Sequence, residues 1–287
     1  NLVDIASRTQ NVRLGTGTII APFTHPIRLA GEAAMTDLIT KGRLDLGIAR
    51  GAYSYEYERL MPGMDAWEAG QRMRELVPAV KALWKGDYEH KGEFWNFPST
   101  TSSPQPKQQP HPPIWVAARD PNSHEFAVKN GCNVQCTPLH QGEEEITRLI
   151  TTFKAACQEY SPEQPLKIML LQHGFVAEDE ADAQQAAVEL NRFYNYFGAW
   201  FKNERPVQQG LIKPLTEEEI AANTYYSVEG MRKNLAIGNP DQVIARLKNY
   251  EAMGYDEYAL WLDSGMTFER KKASLERFIQ HVAPAFH

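Results

Sequence analysis

Cysteine is scarce. Cys132, Cys136 and Cys157 are the only three in 287 residues, in no CxxC spacing and with small or apolar neighbours, so a disulfide framework is excluded and reduced, packed, inert thiols are expected. No apolar run approaches the roughly 18 residues a membrane span needs, and Asn1-Leu2-Val3-Asp4 lacks the basic and apolar regions of a signal peptide. A soluble, cytoplasmic protein with no membrane partner is the expectation. No block of one charge exceeds the triplets Glu143-Glu144-Glu145 and Glu217-Glu218-Glu219, and 30 basic against 36 acidic residues leave a net charge of −6, which argues against nucleic acid as a partner. P-loop, HExxH and GxSxG motifs and zinc-type Cys/His spacings are missing, so no metal is expected. Gly15-Thr16-Gly17 begins like a dinucleotide fingerprint but lacks its third glycine and sits inside a strand, not after it. The chain does not begin with Met, and its opening residues read as the tail of a helix entering a strand, so the start is expected to be incomplete.

What is present is a β/α alternation. At 287 residues and 43% apolar content the chain is long enough for one large core, and residues 1–287 are expected to form a single domain. The clearest strand is expected at Val12–Ile20, apolar on both faces as a strand covered by helices should be, and further strands at Arg43–Ile48, Ile114–Ala118, Asn133–Cys136, Lys167–Val176 and Tyr255–Leu262. Pro26 suits the first position of a helix carrying Ile27, Ala30, Ala34 and Leu38, which Lys41-Gly42 caps. A helix from Trp67 to Trp84 buries Met73, Leu76, Val77, Val80 and Leu83, with a kink expected at Pro78, and another runs from Asp241 to Met253. Pro98–Pro113 reads as a surface loop, and residues 193–234, rich in aromatics, Glu and Lys, read as an insertion carrying helices and part of a substrate lid. Six strands alternating with helices predict an α/β fold of the (β/α)8 TIM-barrel type, with the first two strands expected before Asn1.

Barrels of this kind build their sites at the C-terminal ends of the strands. There, Arg50 precedes Gly51-Ala52-Tyr53, and Arg119 precedes Asp120-Pro121-Asn122-Ser123. An arginine just past an apolar strand and beside small residues can clamp a phosphate bidentately, with backbone N–H groups completing the cradle. Surface arginines paired with Asp or Glu fit the same spacing. His25, before a helix-starting proline, reads as a cap, and His111 as a loop residue.

At these residues the chain resembles the bacterial luciferase-like monooxygenases. The likeness runs through Asn11-Val12-Arg13-Leu14-Gly15-Thr16, Pro22-Phe23-Thr24-His25-Pro26-Ile27-Arg28-Leu29-Ala30, Lys41 to Gly51, Trp84-Lys85-Gly86, His111 to Ala118 and Ile237-Gly238-Asn239-Pro240-Asp241-Gln242-Val243. It implies FMN as cofactor, received as FMNH2, and oxygenation of a small organic substrate by O2 through a C4a-peroxyflavin. By the resemblance Arg50 and Arg72 reach the flavin phosphate, Ala118, Arg119, Asn122 and Ser123 form the phosphate loop, Gly17 and Thr18 fall at a non-proline cis peptide beneath the flavin ring, and Ala49 stands where some luciferases have a reactive cysteine. The flavin-proximal histidine of luciferases would precede Asn1, so no catalytic base is named. Tyr53, Tyr55, Trp115 and Trp261 are candidates for the substrate pocket, core or rim being the alternative for each. None of the strands ends in a pyridine-nucleotide fingerprint, so a separate NAD(P)H:flavin reductase is expected as partner, together with a homodimer. Hydride transfer with a deazaflavin on the same fold, and a non-catalytic flavin-binding protein, are the alternative readings.

Overall fold

A computed structural model of the chain describes residues 2–286. The chain divides into two compact units, residues 1–135 with 155–166 and residues 136–154 with 167–287.

The first unit opens with α1 (Leu2–Arg8) and the expected strand at 12–20, which forms as two short pieces, β1 (Leu14–Gly15) and β2 (Ile19–Ile20). Both pair in parallel with β3 (Leu44–Ala49), Leu14 opposite Leu44 and Ile19 opposite Ile48. Between them the Gly17–Thr18 peptide bond is cis, at the position the resemblance assigns. Gly47 makes room for this detour. A Cβ there would overlap the Thr16 carbonyl oxygen, and Thr16 Oγ1 instead bonds the glycine backbone, accepting from Gly47 N at 2.8 Å and donating to Gly47 O at 2.9 Å.

Helix α2 (Pro26–Ile39) starts as expected: Pro26 takes the first position, and His25 Nδ1 accepts from Ile27 N. It ends with Lys41 and Gly42 at positive φ, and Gly42 N donates to Asp37 O. After α3 (Ser54–Leu60), α4 (Ala66–Lys85) buries all five residues of the expected stripe and keeps Pro78 inside the helix, on its exposed face. An antiparallel hairpin follows, β4 (Tyr88–Lys91) with β5 (Asn96–Thr100), where the sequence predicts a loop from Pro98 onward. Its anchor is distant in sequence. The Glu75 carboxylate on α4 accepts from the backbone N–H groups of Glu93, Phe94 and Trp95 and pairs with His90 Nε2 at 2.8 Å. Burial alone would raise this carboxyl, but His90 and the backbone N–H groups of Trp95 and Phe94 hold it below its usual range. β6 (Ile114–Ala117), α5 (Pro121–Lys129) and β7 (Asn133–Cys136) complete the alternation, with β3–β6 and β6–β7 parallel.

Helix α6 (Glu143–Tyr160) begins on three glutamates, which favour its positive N-terminal end. The second unit is centred on β8 (Ile168–Val176), followed by α7 (Glu180–Phe201), a small hairpin β9 (Val207–Gln208) and β10 (Leu211–Ile212), α8 (Glu217–Ala222), α9 (Val228–Asn234), β11 (Ala236–Gly238), α10 (Pro240–Met253), β12 (Glu257–Trp261) and α11 (Phe268–Arg277). β12 pairs in parallel with residues 169–173 of β8, and β11, a strand not expected from the sequence, takes residues 174–176. The aromatic segment at 193–234 is corrected at its start, because residues 193–201 belong to the continuous helix α7. The cysteines form no disulfide, and burial pushes the Cys132 thiol up to about 12, as expected of an inert group.

Candidate functional site

In the first unit the C-terminal ends of β3 and β6 deliver Arg50 and Arg119. Arg50 leaves the strand just before Gly51, whose φ of +89° turns the chain away, and its backbone oxygen accepts from the buried Tyr57 hydroxyl. Its Nη1 donates to Ala66 O at 3.1 Å, which aims the side chain at the start of α4. Arg119 is half-buried and leads into α5, which Asp120 caps by accepting from Ser123 N at 3.0 Å and Ser123 Oγ at 2.7 Å. Burial alone would raise the Asp120 carboxyl; the Ser123 hydrogen bonds and the positive charge of Arg50 hold it below its ordinary value. The charge of Arg50 therefore acts at the N-terminus of α5, where anions are favoured. Two expected phosphate donors are engaged locally: Ala118 N–H goes to Gln135 O and the Ser123 hydroxyl to Asp120. Asn122 is exposed in the first turn.

The expected pairing of Arg50 with Arg72 is not what the side chains show. Both Arg72 Nε and Nη2 donate to Glu68 Oε1, and its guanidinium lies 4.5 Å from the centre of the Phe94 ring. The α4 arginine beside Arg50 is Arg74. A Cβ on Gly70 would stand 2.9 Å from Arg74 Nη1 and 4.0 Å from Arg50 Cδ, so the bare glycine surface is shared by both side chains. Helical geometry explains this arrangement: at about 100° per residue, position 74 lies some 40° from position 70, and position 72 about 200° away. Arg74 also reaches α5, with its guanidinium 5.8 Å from the Phe126 ring centre.

The pocket candidates separate. Tyr53 and Tyr55, just past β3, stack at 5.5 Å, and Arg59 lies over Tyr55. Burial and Glu56 push the Tyr55 phenol up to about 12. Trp115 is buried and donates Nε1 to Asp45 Oδ1 at 3.4 Å, with Arg13 on the same carboxylate, which places it at the N-terminal half of β3 and not at the strand end.

In the second unit Trp261 lies opposite His173 in register and stacks on it at 4.0 Å. The sequence reading does not single out His173, although a lone histidine within the apolar run 168–176 is a visible signal. Its Nδ1 meets Tyr194 Oη at 2.8 Å and its Nε2 meets Asp263 O at 3.1 Å. One nitrogen donates to the carbonyl and the other accepts from the phenol, which suits the neutral ring. Burial lowers this histidine to about 4, against a smaller opposing pull from Asp263. Phe193 meets the His173 ring edge-on at 4.9 Å, Phe197 stacks on Phe193 at 6.0 Å, and Tyr226 stacks on Tyr194 at 5.9 Å, leaning on α7 where Gly198 has no side chain. Tyr225 and Tyr226 stand edge-on to His140 at 5.0 and 4.7 Å. Among the described residues no group of three or more His, Cys, Asp or Glu is arranged to hold a metal ion, and no helix is long and apolar enough to cross a membrane.

Comparison with known proteins bears on the family and the fold. The family model described as luciferase-like monooxygenase matches residues 4–257. The flavin-dependent trigonelline monooxygenase, oxygenase component, of Acinetobacter baylyi is 68% identical over 286 residues, covering 100% of this chain and 79% of that protein. The crystal structure of monooxygenase RslO1 from Streptomyces bottropensis superposes with a TM-score of 0.81 at 29% identity, covering 100% of this chain and 82% of that one. The oxygenating constituent of 3,6-diketocamphane monooxygenase from Pseudomonas putida, solved in complex with FMN, has the same fold with a TM-score of 0.76 at 18% identity, covering 100% of this chain and 83% of that one.

Proposed function

The chain belongs to the luciferase-like monooxygenase family, an α/β fold of the TIM-barrel type, and on that premise we propose that it is the oxygenase component of a two-component system acting on trigonelline or a closely related pyridinium carboxylate. It is an FMNH2-dependent monooxygenase. The observation that carries the site assignment is that Arg50 and Arg74 share the bare surface of Gly70, while the charge of Arg50 acts on Asp120 at the N-cap of α5. Two guanidinium groups and a helix N-terminus are the donor set a flavin phosphate requires.

Arg50 and Arg74 would hold the flavin phosphate, with Arg119, Asn122, Ser123 and the Ala118 backbone as the neighbouring donors. Arg72, the clamp expected from the resemblance, orders α4 and the β4–β5 hairpin through Glu68 and Phe94. Gly17, Thr18 and Ala49 take the ring. Tyr53 and Tyr55 past the end of β3, and Trp261 at the end of β12, are the candidates kept for substrate contact, with residues 202–234 as the lid; Trp115, held on Asp45, is not among them. Bound reduced FMN supplies two electrons, with which one atom of O2 enters the substrate and the other leaves as water. The chain's part is to fix the cofactor and exclude bulk water. A separate NAD(P)H:flavin reductase delivers FMNH2. We further propose a single domain over residues 1–287, a homodimer and a cytoplasmic location.

FMN titration tests the cofactor site. Arg50→Ala weakens FMN by about 1.5–3 kcal/mol, the scale of a lost charged hydrogen bond. Unchanged affinity rejects the assignment. The deazaflavin alternative stands against a 68% identical relative that is flavin-dependent, and reduced deazaflavin supporting turnover while FMNH2 does not would revive it.

A further inference from the structure

Trigonelline is N-methylnicotinate, a flat pyridinium ring with a permanent positive charge and a carboxylate. A quaternary nitrogen has no proton to donate, so a protein recognises it by charge or by aromatic faces. Resting on the reading of trigonelline as substrate, we infer that Trp261, with Phe193 and Phe197 beside it, receives the cationic ring through cation–π contact.

The second unit assembles this surface from β8, β12 and the C-terminal half of α7. His173 covers one face of Trp261 at 4.0 Å, Phe193 stands edge-on to both at 4.9 and 6.4 Å, and Phe197 extends the row. Trp261, Phe193 and Phe197 all remain partly exposed. Trp261 closes β12 at its C-terminal end, where barrels of this family's fold place their sites. The backing is rigid, because both nitrogens of His173 are held, one by Tyr194 and one by Asp263 O.

The backing is also uncharged. An imidazolium stacked on Trp261 would repel a pyridinium on the same rings. Burial keeps His173 neutral around neutral pH, against a smaller opposing pull from Asp263, and burial keeps the Tyr194 phenol protonated. Asp263, whose backbone oxygen holds His173, has a largely exposed carboxylate that lies 3.8 Å from Lys271. A cation attracted by neutral ring faces pays less desolvation than one drawn to a buried carboxylate.

The test uses the full chain loaded with FMN and compares binding of trigonelline with that of nicotinate, the same ring without the methyl group or the fixed charge. The wild type prefers trigonelline. Trp261→Leu lowers that preference by about tenfold, and Trp261→Phe, which keeps an aromatic face, restores most of it. Phe193→Leu gives a smaller loss in the same direction. FMN affinity within twofold of wild type in each variant confirms folding. A preference that survives Trp261→Leu and Phe193→Leu overturns the inference while leaving trigonelline as substrate. Failure of the wild-type protein to bind trigonelline overturns the substrate reading and the inference with it.

Discussion

Gly70→Ala separates the two roles of one residue. A glycine inside a helix costs about 1 kcal/mol relative to alanine, so on propensity alone the substitution stabilises α4 by up to that amount. For a chain of this length that raises the melting temperature by roughly 2 °C. The same methyl group would stand 2.9 Å from Arg74 Nη1 and 4.0 Å from Arg50 Cδ. The first contact is several tenths of an ångström too short, and Arg74 Nη1 is the far end of a flexible side chain, so Arg74 moves and the fold does not. If Arg74 is a phosphate clamp, its displacement removes part of a charge-assisted interaction worth roughly 1.5–3 kcal/mol. Arg74→Ala sets the full scale, a loss of about tenfold to a hundredfold in FMN affinity, and Gly70→Ala falls between that and wild type. Titration of FMN fluorescence with each protein, alongside a thermal melt, reads both quantities. The predicted signature is opposite signs, a more stable protein that binds flavin less well. Unchanged FMN affinity in both variants, with a tenfold loss in Arg72→Ala, would refute the reasoning and restore Arg72 to the clamp.

Glu75→Ala leaves three backbone N–H donors and His90 without their acceptor; a loss of at least about 2 kcal/mol in chemical denaturation is expected, with hydrogen exchange rising first in residues 88–100. His173 has its folded-state value lowered to about 4 from 6.5, so the unfolded chain binds the proton more readily. Stability is complete above about pH 6.5 and declines as the pH falls towards 4, by on the order of 3 kcal/mol, and His173→Gln flattens that slope in urea melts run across the window.

Most of the alternation was legible because it rests on local patterns. Leu44–Ala49, Ile114–Ala117 and Ile168–Val176 are mainly apolar segments and Asn133–Cys136 alternates polar and apolar residues, and Pro26, Asn239 and Gly42 mark helix ends where their backbone preferences require. β11 escaped because three residues carry no periodicity. The β4–β5 hairpin escaped because its hold is Glu75, a carboxylate remote in sequence. At the site, Arg50 and Arg119 were visible as strand-end arginines, whereas choosing between Arg72 and Arg74 required knowing which face of α4 meets Arg50. Trp115 and Trp261 look alike as aromatics near strand ends; only the partners of their side chains, Asp45 for one and His173 for the other, tell them apart.

The central claim is tested most directly by supplying photoreduced FMN, labelled O2 and trigonelline to the purified chain without any reductase. The account predicts a product carrying one labelled oxygen atom, and no oxidation of NADH by the chain alone until a flavin reductase is added. NADH oxidation by the chain in the presence of FMN with contaminating reductase excluded, or trigonelline recovered without label while the flavin is reoxidised, would contradict it.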